Sequence, residues 1–435
     1  LQVDGLGLDV LRRSLDEGRM PFLRHLLGEE GHELLPLYTG MPSSTPGFQG
    51  EFFYGVRGCV PAFAYRDRVL DRVVSLNDPT AAAAVEARLR ERARGLLEEG
   101  SAWSDIFSGS AAEPHLCAST TGLSLVWQAL NPLRAVGLLL VYGWSLVRVL
   151  GYFFAETALA WYDFLRGQLE GKDLWAELRF VPTRVLVSAV MRELVTAGAA
   201  VDCERGLPVI QLNLLGYDEH AHRRGPDSRF ARWTLKGIDH ALRRVWLAAH
   251  RSRRRDYQVW IYSDHGQEAV RAYPLHHPEG VGPAVKRIYE RFEMRPFPGP
   301  EAGVRPPRHY ATGAERGRWL APDLPPWLLG PRGATAHAPA AWGRDGRCEV
   351  VAQGPVGFLY PGRALGPEEL ERLAALVARD AAVPTVLVRR GEGAVAFRSD
   401  GRRLELPRDR AAVFGADHPH LEEVCADTLE AVSYT

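Results

Sequence analysis

Asp264 and His265, in the stretch WIYSDHGQE, carry a carboxylate and an imidazole off the end of an apolar run straight into a glycine turn. Both groups are ligands for a borderline cation such as zinc, and the alternative role is a helix cap or a hydrogen-bonded turn. A second pair, Asp218 and His222 in LLGYDEHAHRRGP, follows another apolar run. If that turn continues helically, positions i and i+4 share a face and the two side chains can converge on one ion. His220 falls on a different face and reads as a solvated loop histidine. Asp4 follows the first strand and precedes Gly5, so it too projects from the end of a strand, with capping as its alternative role. Each of these, taken singly, has an ordinary structural explanation. Together they place Asp4, Asp218, His222, Asp264 and His265 at three strand ends, which is most of a two-metal site.

Displacement at phosphorus beside such a site needs a nucleophile, and MPSSTPGFQGEFFYG offers hydroxyls just before Pro46. Proline suits the first helical turn, which puts Thr45 at the N-cap, against free N–H groups and the positive end of the helix dipole. An anionic phosphate is favoured there, although ordinary capping by Ser or Thr uses the same pattern.

These residues need a parallel sheet to bring them together. LQVDGLG reads as the end of a buried strand and a Gly-rich turn, and residues 8–27 carry helical spacing, making a βα unit. The near-continuous apolar runs 208–215 and 257–262 flank a long helical pattern from about Ser228 to His250. The fold class is therefore α/β, with a mostly parallel central sheet, helices on both faces and the site at the strands' C-terminal ends. The chain divides into a first part of the core at 1–110, a hydrophobic helical insertion at 111–175 and a second core part at 176–295 carrying the metal motifs. A Pro/Gly-rich excursion at 296–346 and a C-terminal core part at 347–435 complete it. In the last part, strands near 347–360, a helix from Pro367 to Arg379 and a hairpin near 384–406 are expected.

Within the insertion, residues 135–165 are apolar and aromatic but interrupted by Arg148 and Glu156, so neither half reaches the roughly 18 residues of a spanning helix. A buried helical hairpin competes with a membrane-contacting segment, for which Trp144, Tyr152, Trp161 and Tyr162 suit an interface.

The 435 residues exceed one ordinary domain, and 46% apolar with 24% charged residues is a soluble globular composition. The 53 basic and 53 acidic residues balance, so no global attraction to nucleic acid is indicated. Only Lys172, Lys236 and Lys286 are lysines, an arginine bias associated with GC-rich bacteria. Cys59, Cys117, Cys203, Cys348 and Cys425 are odd in number and widely spaced, against both a disulfide framework and a cysteine zinc site.

The order Asp4, the hydroxyl in STPGFQ, DxxxHxxGP from Asp218 to Pro226, then Asp264-His265-Gly266 resembles the nucleotide pyrophosphatase/phosphodiesterase family of the alkaline phosphatase superfamily. The resemblance implies an alkaline-phosphatase-like fold and two divalent cations, zinc by preference. One would be held by Asp218 and His222, the other by Asp4, Thr45, Asp264 and His265. Thr45 would be the nucleophile that is transiently phosphorylated, with Ser44 as the alternative because relatives often separate nucleophile and proline by one residue. The implied activity is hydrolysis of phosphodiester or pyrophosphate bonds in a small substrate, nucleotide or lipid-linked. A phosphomonoesterase, or a non-catalytic membrane-associated module with an incomplete metal site, are the alternatives. A sulfatase would need a CxPxR-like context, which is missing.

Two features depart from the family. Gly47 and Gln49 stand where relatives have an asparagine that binds a phosphate oxygen. The further zinc-binding histidine lacks its glycine-flanked motif, since His337, His418 and His420 all stand in other contexts. Leu1 opens within a strand and Tyr434-Thr435 follow a helical stretch without a stop signal, so the missing histidine is expected beyond Thr435.

Overall fold

The structure, a computed structural model, describes residues 1–67, 69–120, 191–270, 279–294, 348–353 and 356–433, with single positions at 151, 154, 157, 161, 273 and 277. Almost all of the hydrophobic segment 135–165, most of 111–175 and all of 296–346 lie outside the described residues. Among the described residues, no helix is long and apolar enough to cross a membrane.

Four strands form one sheet, β1 (Gln2–Val3), β4 (Ser101–Trp103), β5 (Glu113–His115) and β6 (Ile210–Leu214), in the order β1-β6-β4-β5. All three pairings are parallel. The run 257–262 lies along the free side of β1, with a parallel bridge from Gln2 to Tyr262, and Val3 N donates to Tyr262 O at 2.8 Å. Sheet and helices together are the α/β architecture expected from the sequence, consistent with the alkaline-phosphatase-like fold that the resemblance implies.

Both faces of the sheet are covered. On one lie α1 (Leu8–Asp16), α2 (Pro21–Glu29), α5 (Arg192–Arg205) and α7 (Arg229–Arg251), packed over Val3, Leu212 and Leu214. In α7, Ala231, Leu235, Ile238, Leu242, Val245 and Ala249 recur at helical spacing and are buried. Each of its large aliphatic side chains contributes on the order of 1.5–3 kcal/mol by leaving water. Ser228 caps this helix, its side chain accepting from Ala231 N. The single helical pattern read over residues 8–27 is in fact two helices, because Gly18 adopts a left-handed φ of 65° and Pro21 starts a new first turn.

The other face carries α3 (Thr45–Tyr54) and α4 (Pro79–Arg92), which with the hairpin β2 (Ala64–Asp67)–β3 (Arg72–Ser75) enclose a second core around Phe53, Tyr65, Val85, Leu89 and Phe107. Strand residues alternate between faces. Beside Val3, Leu212 and Leu214 in the first core, the intervening Gln2, Gln211 and Asn213 are buried polar groups, with Gln2 bonded to Gln49 of α3.

After residue 347 the strands pair in separate antiparallel sheets. β7 (Glu349–Gln353) pairs with β8 (Val356–Tyr360). The expected hairpin near 384–406 is three-stranded, with β10 (Gly393–Arg398) between β9 (Thr385–Arg390) and β11 (Arg403–Leu406). The helix α9 (Pro367–Asp380) covers it, and α8 (Val281–Glu293) shares a core with α9. The chain's remaining described helices are α6 (Tyr217–Arg224), α10 (Arg410–Phe414) and α11 (Leu421–Ser433). All five cysteines are free.

Candidate active site

Asp4 leaves β1 on the α3 side of the sheet and is held by Asn213 of β6, whose Nδ2 donates to Asp4 Oδ2 at 2.7 Å. Asp264 follows the 257–262 run, is 0% exposed, and accepts from Gly5 N at 3.2 Å through Oδ1. Its Oδ2 is buried with no hydrogen-bond partner. Neither aspartate is a helix cap, since the residue capping α1 is Gly7.

His265 donates from Nδ1 to Gly266 O at 3.0 Å, so that in the neutral ring Nε2 carries the lone pair. That nitrogen stands 3.6 Å from Asp4 Oδ1, 3.7 Å from Asp264 Oδ2 and 3.9 Å from Asp218 Oδ1. Asp4, Asp264 and His265 can each offer a ligand atom within 4.8 Å of the others.

Thr45 is brought to the same point by the first turn of α3. Its Oγ1 lies 3.3 Å from His265 Nε2 and 3.5 Å from Asp4 Oδ1. The N-cap is Ser44, not Thr45: Ser44 has the extended backbone of a cap (φ −158°, ψ 147°) and Thr45 is the first helical residue. The Ser44 side chain makes no capping bond and Pro46 carries no N–H, so the first-turn donors that Ser44 leaves uncapped are those of Thr45 and Gly47. Ser44 Oγ is buried without a partner and lies on the side of Gly47, whose added Cβ would stand 3.1 Å from it.

Asp218 and His222 sit one turn apart on α6, as their spacing predicts, with His222 Nε2 at 3.2 Å from Asp218 Oδ2. Gln267 donates to Asp218 Oδ1 and, at 3.1 Å, to its backbone oxygen. Gly5 makes this approach feasible: its φ is +69°, and an added Cβ would stand 3.0 Å from Asp218 Cβ and overlap the carboxylate oxygen. His220 corrects the sequence reading. It is a core residue, 1% exposed, bonded through Nδ1 to Gly216 O and packed on the Phe230 ring at 5.4 Å.

The electrostatics are those of a site built around positive charge. Burial, then the neighbouring Asp264 and Asp218, push the Asp4 carboxyl well above the usual range, and burial likewise raises Asp264. Burial opposes ionisation of His265, but Asp264 and Asp218 outweigh it and raise the imidazole. For Asp218 burial is outweighed by His222 and His265, and its carboxyl is lowered. Two carboxylates, one with an orphaned buried oxygen, beside an imidazole nitrogen that the outer hydrogen bond orients, with a third carboxylate oxygen 3.9 Å from that nitrogen, fit a divalent cation.

The remaining sequence candidates stand elsewhere. His337 lies outside the described residues. His420 stacks on Tyr38 at 5.1 Å and donates its N–H to His418 Nδ1, and neither histidine joins the metal-ligand group found among the described residues. Gln49 is no phosphate contact, because its amide is spent in the core on Gln2, Asp105 and Ile106. Sequence reading missed Asn213, Gln267 and Asp105; the alternation in IQLNL was the available signal for the first.

Residues 181–316 match the family described as type I phosphodiesterase / nucleotide pyrophosphatase, which belongs to the alkaline phosphatase superfamily. The match spans Asp218, His222, Asp264 and His265 and does not reach Asp4 or Thr45. It supports a phosphodiesterase or pyrophosphatase hydrolase at that coarse level, in a family that is generally metal-dependent. Comparisons with curated proteins and with solved structures give no match.

Proposed function

We propose that the protein hydrolyses phosphodiester or pyrophosphate bonds of a small substrate through a phosphothreonine at Thr45, with two zinc ions as resident cofactors. The observation that supports this most is the convergence of Asp4, Asp264, His265 and Thr45 from separate elements, with a buried Asp264 oxygen left unpartnered. Asp4, Asp264, His265 and the Thr45 hydroxyl would hold one ion, and Asp218 with His222 the other. Bound there, divalent cations supply Lewis-acid neutralisation of the attacking oxygen and the phosphoryl group.

The chain's own part begins at the first turn of α3, where the Thr45 and Gly47 N–H groups and the helix dipole would receive the phosphoryl oxygens. Thr45 Oγ1 loses its proton to solvent water and bonds to phosphorus as the ester oxygen on the opposite side departs with the bonding pair and takes a proton from solvent water. Water then attacks the phosphothreonine, returning the hydroxyl and releasing the phosphoryl group with one added oxygen. His265 Nε2 and Asp4 Oδ1 flank Thr45 Oγ1 and fix its direction of attack. A nucleotide or lipid-linked substrate, and membrane contact through 135–165, rest on the sequence pattern.

Zinc content measured together with turnover of bis(4-nitrophenyl) phosphate and 4-nitrophenyl phosphate tests this reading. Bound zinc with preferential diester turnover is the expected result. Preference for the monoester would replace the diesterase with a phosphatase, and a zinc-free, inert protein would refute the enzyme.

A further inference from the structure

Beneath α3 lies a set of hydrogen bonds, centred on the buried Asp105, Gln49 and Gln211, that none of the proposed chemistry uses. Asp105 Oδ1 accepts from Gln49 Nε2 at 2.8 Å and from Gln211 Nε2 at 3.2 Å. Gln49 Oε1 accepts from Ile106 N at 2.8 Å, and its Nε2 also reaches Gln2 Oε1 at 3.2 Å. Tyr262 donates its hydroxyl to Gln211 Oε1 at 3.0 Å.

Each partner stands a short, fixed distance along the chain from a residue of the site. Gln49 is one helical turn after Thr45. Gln211 shares β6 with Asn213, which holds Asp4. Gln2 precedes Asp4 by two residues, and Tyr262 precedes Asp264 by two. Asp105 itself follows β4, the strand on the other side of β6 from β1. One carboxylate oxygen therefore ties the nucleophile's helix to the strands that carry the ligand candidates.

We propose that Asp105 is a positioning residue that holds Thr45 and the Asp4–Asp264–His265 group in mutual register, through the acceptor it presents to Gln49 and Gln211. The proposal rests on the reading of Thr45 as nucleophile for its kinetic consequence, but not for its effect on the metal group. Apolar contacts also seat α3 here, Phe48 and Phe52 lying 5.8 and 5.0 Å from the Tyr262 ring, yet they tolerate sliding. Hydrogen bonds weaken steeply with misalignment, and buried unpaired partners are costly, so the polar hub specifies one position. What the hub needs is an acceptor, and an amide oxygen supplies one as well as a carboxylate does.

Asp105→Leu keeps the branching and removes the acceptor; Asp105→Asn keeps an acceptor and cannot ionise; Gln49→Met releases α3 from Asp105 and Gln2 with every strand residue unchanged. Zinc affinity by competition with a chromophoric chelator, and kcat and KM on bis(4-nitrophenyl) phosphate, are read for all three beside thermal unfolding. Loss of an outer partner of a metal site costs on the order of 10–100-fold in affinity or activity. Asp105→Leu and Gln49→Met should fall by that much in zinc affinity and in kcat with KM little changed, while Asp105→Asn stays within a few-fold of the parent. If all three only lower the melting temperature, with zinc affinity and kcat unmoved, the hub is structural and the proposal is overturned. It is equally overturned if Asp105→Asn falls as far as Asp105→Leu. Should Asp105→Leu fail to fold, Gln49→Met decides alone. If the parent protein binds zinc but turns over neither ester, the hydrolase reading fails while zinc affinity still decides the role of Asp105.

Discussion

The two halves of the site are built in different ways. Asp218 and His222 are a local pair, one turn apart on α6, and their 3.2 Å separation follows from helical geometry alone. Asp4, Thr45, Asp264 and His265 come from a strand end, a helix start and the end of the bridged run 257–262, and meet only when the sheet and α3 are assembled. Exposure divides them as well: the His222 side chain is 52% exposed, whereas the Asp264 carboxylate is fully buried with an unpartnered oxygen. A local pair in contact with solvent can relax around water when it holds no ion. A buried cluster of carboxylates cannot, so the tertiary half depends more on its cation and should bind it more tightly.

The largest effect belongs to the proposed nucleophile. Thr45→Ala should abolish turnover, by on the order of a million-fold in kcat, because among the described residues Thr45 alone brings a hydroxyl within hydrogen-bond reach of both His265 Nε2 and Asp4 Oδ1. Zinc should stay largely bound, since Asp4, Asp264 and His265 remain. Ser44→Ala, altering a hydroxyl that points toward Gly47, should leave kcat within a few-fold of the parent. Turnover of a diester by both variants decides the register, and the reverse pattern would make Ser44 the nucleophile.

Next comes the contrast between the halves. His265→Ala should weaken zinc binding by more than the roughly 100-fold that an outer partner is worth, and His222→Ala by about tenfold or less at the tighter ion. Stoichiometry resolves them: one zinc should remain in His222→Ala, and that remaining ion should still raise the melting temperature over the chelated protein. Equal losses from both substitutions would show the two halves to be one cooperative site.

How much of this was legible follows the same division. Asp218 with His222, and Asp264 with His265, could be read because acid and imidazole stood at short spacings after apolar runs. Thr45 was legible as a hydroxyl before Pro46, but not its position in the turn, because Ser44 and Thr45 are equally good caps in sequence and only the backbone distinguishes them. His220 was misread because nothing in YDEHAHRR reveals that its face of α6 turns toward Phe230. The polar underside is hidden in the sequence because 208–215 reads as a near-continuous apolar run, whereas Gln211 and Asn213 alternate with Leu212 and Leu214. Asp105 had no signal of its own. Its role is set by partners that stand 56 and 106 residues away in the chain, and only the sheet order β1-β6-β4-β5 joins them.

The smallest effect tests the seam between the halves. Gly5 follows Asp4 directly and lies against Asp218, so it is where the tertiary cluster touches the local pair. Its φ of +69° costs an L-residue about 1–2 kcal/mol, before any contact is counted. An alanine Cβ would also overlap Asp218 Oδ1, whose partner Gln267 leaves it little room to withdraw. Gly5→Ala should therefore lower stability by about 2–3 kcal/mol and, by pushing Asp218 aside, weaken the Asp218–His222 ion more than the other. Gly7→Ala is the control. Gly7 has φ −68°, and an added Cβ would meet Gly266 Cα at an ordinary 3.5 Å, so only the modest cap preference is lost, within about 1 kcal/mol. Denaturant unfolding of the two variants, with and without zinc, gives both numbers. Equal stabilities would mean that the turn after β1 yields freely and that the two halves are not held against each other at Gly5.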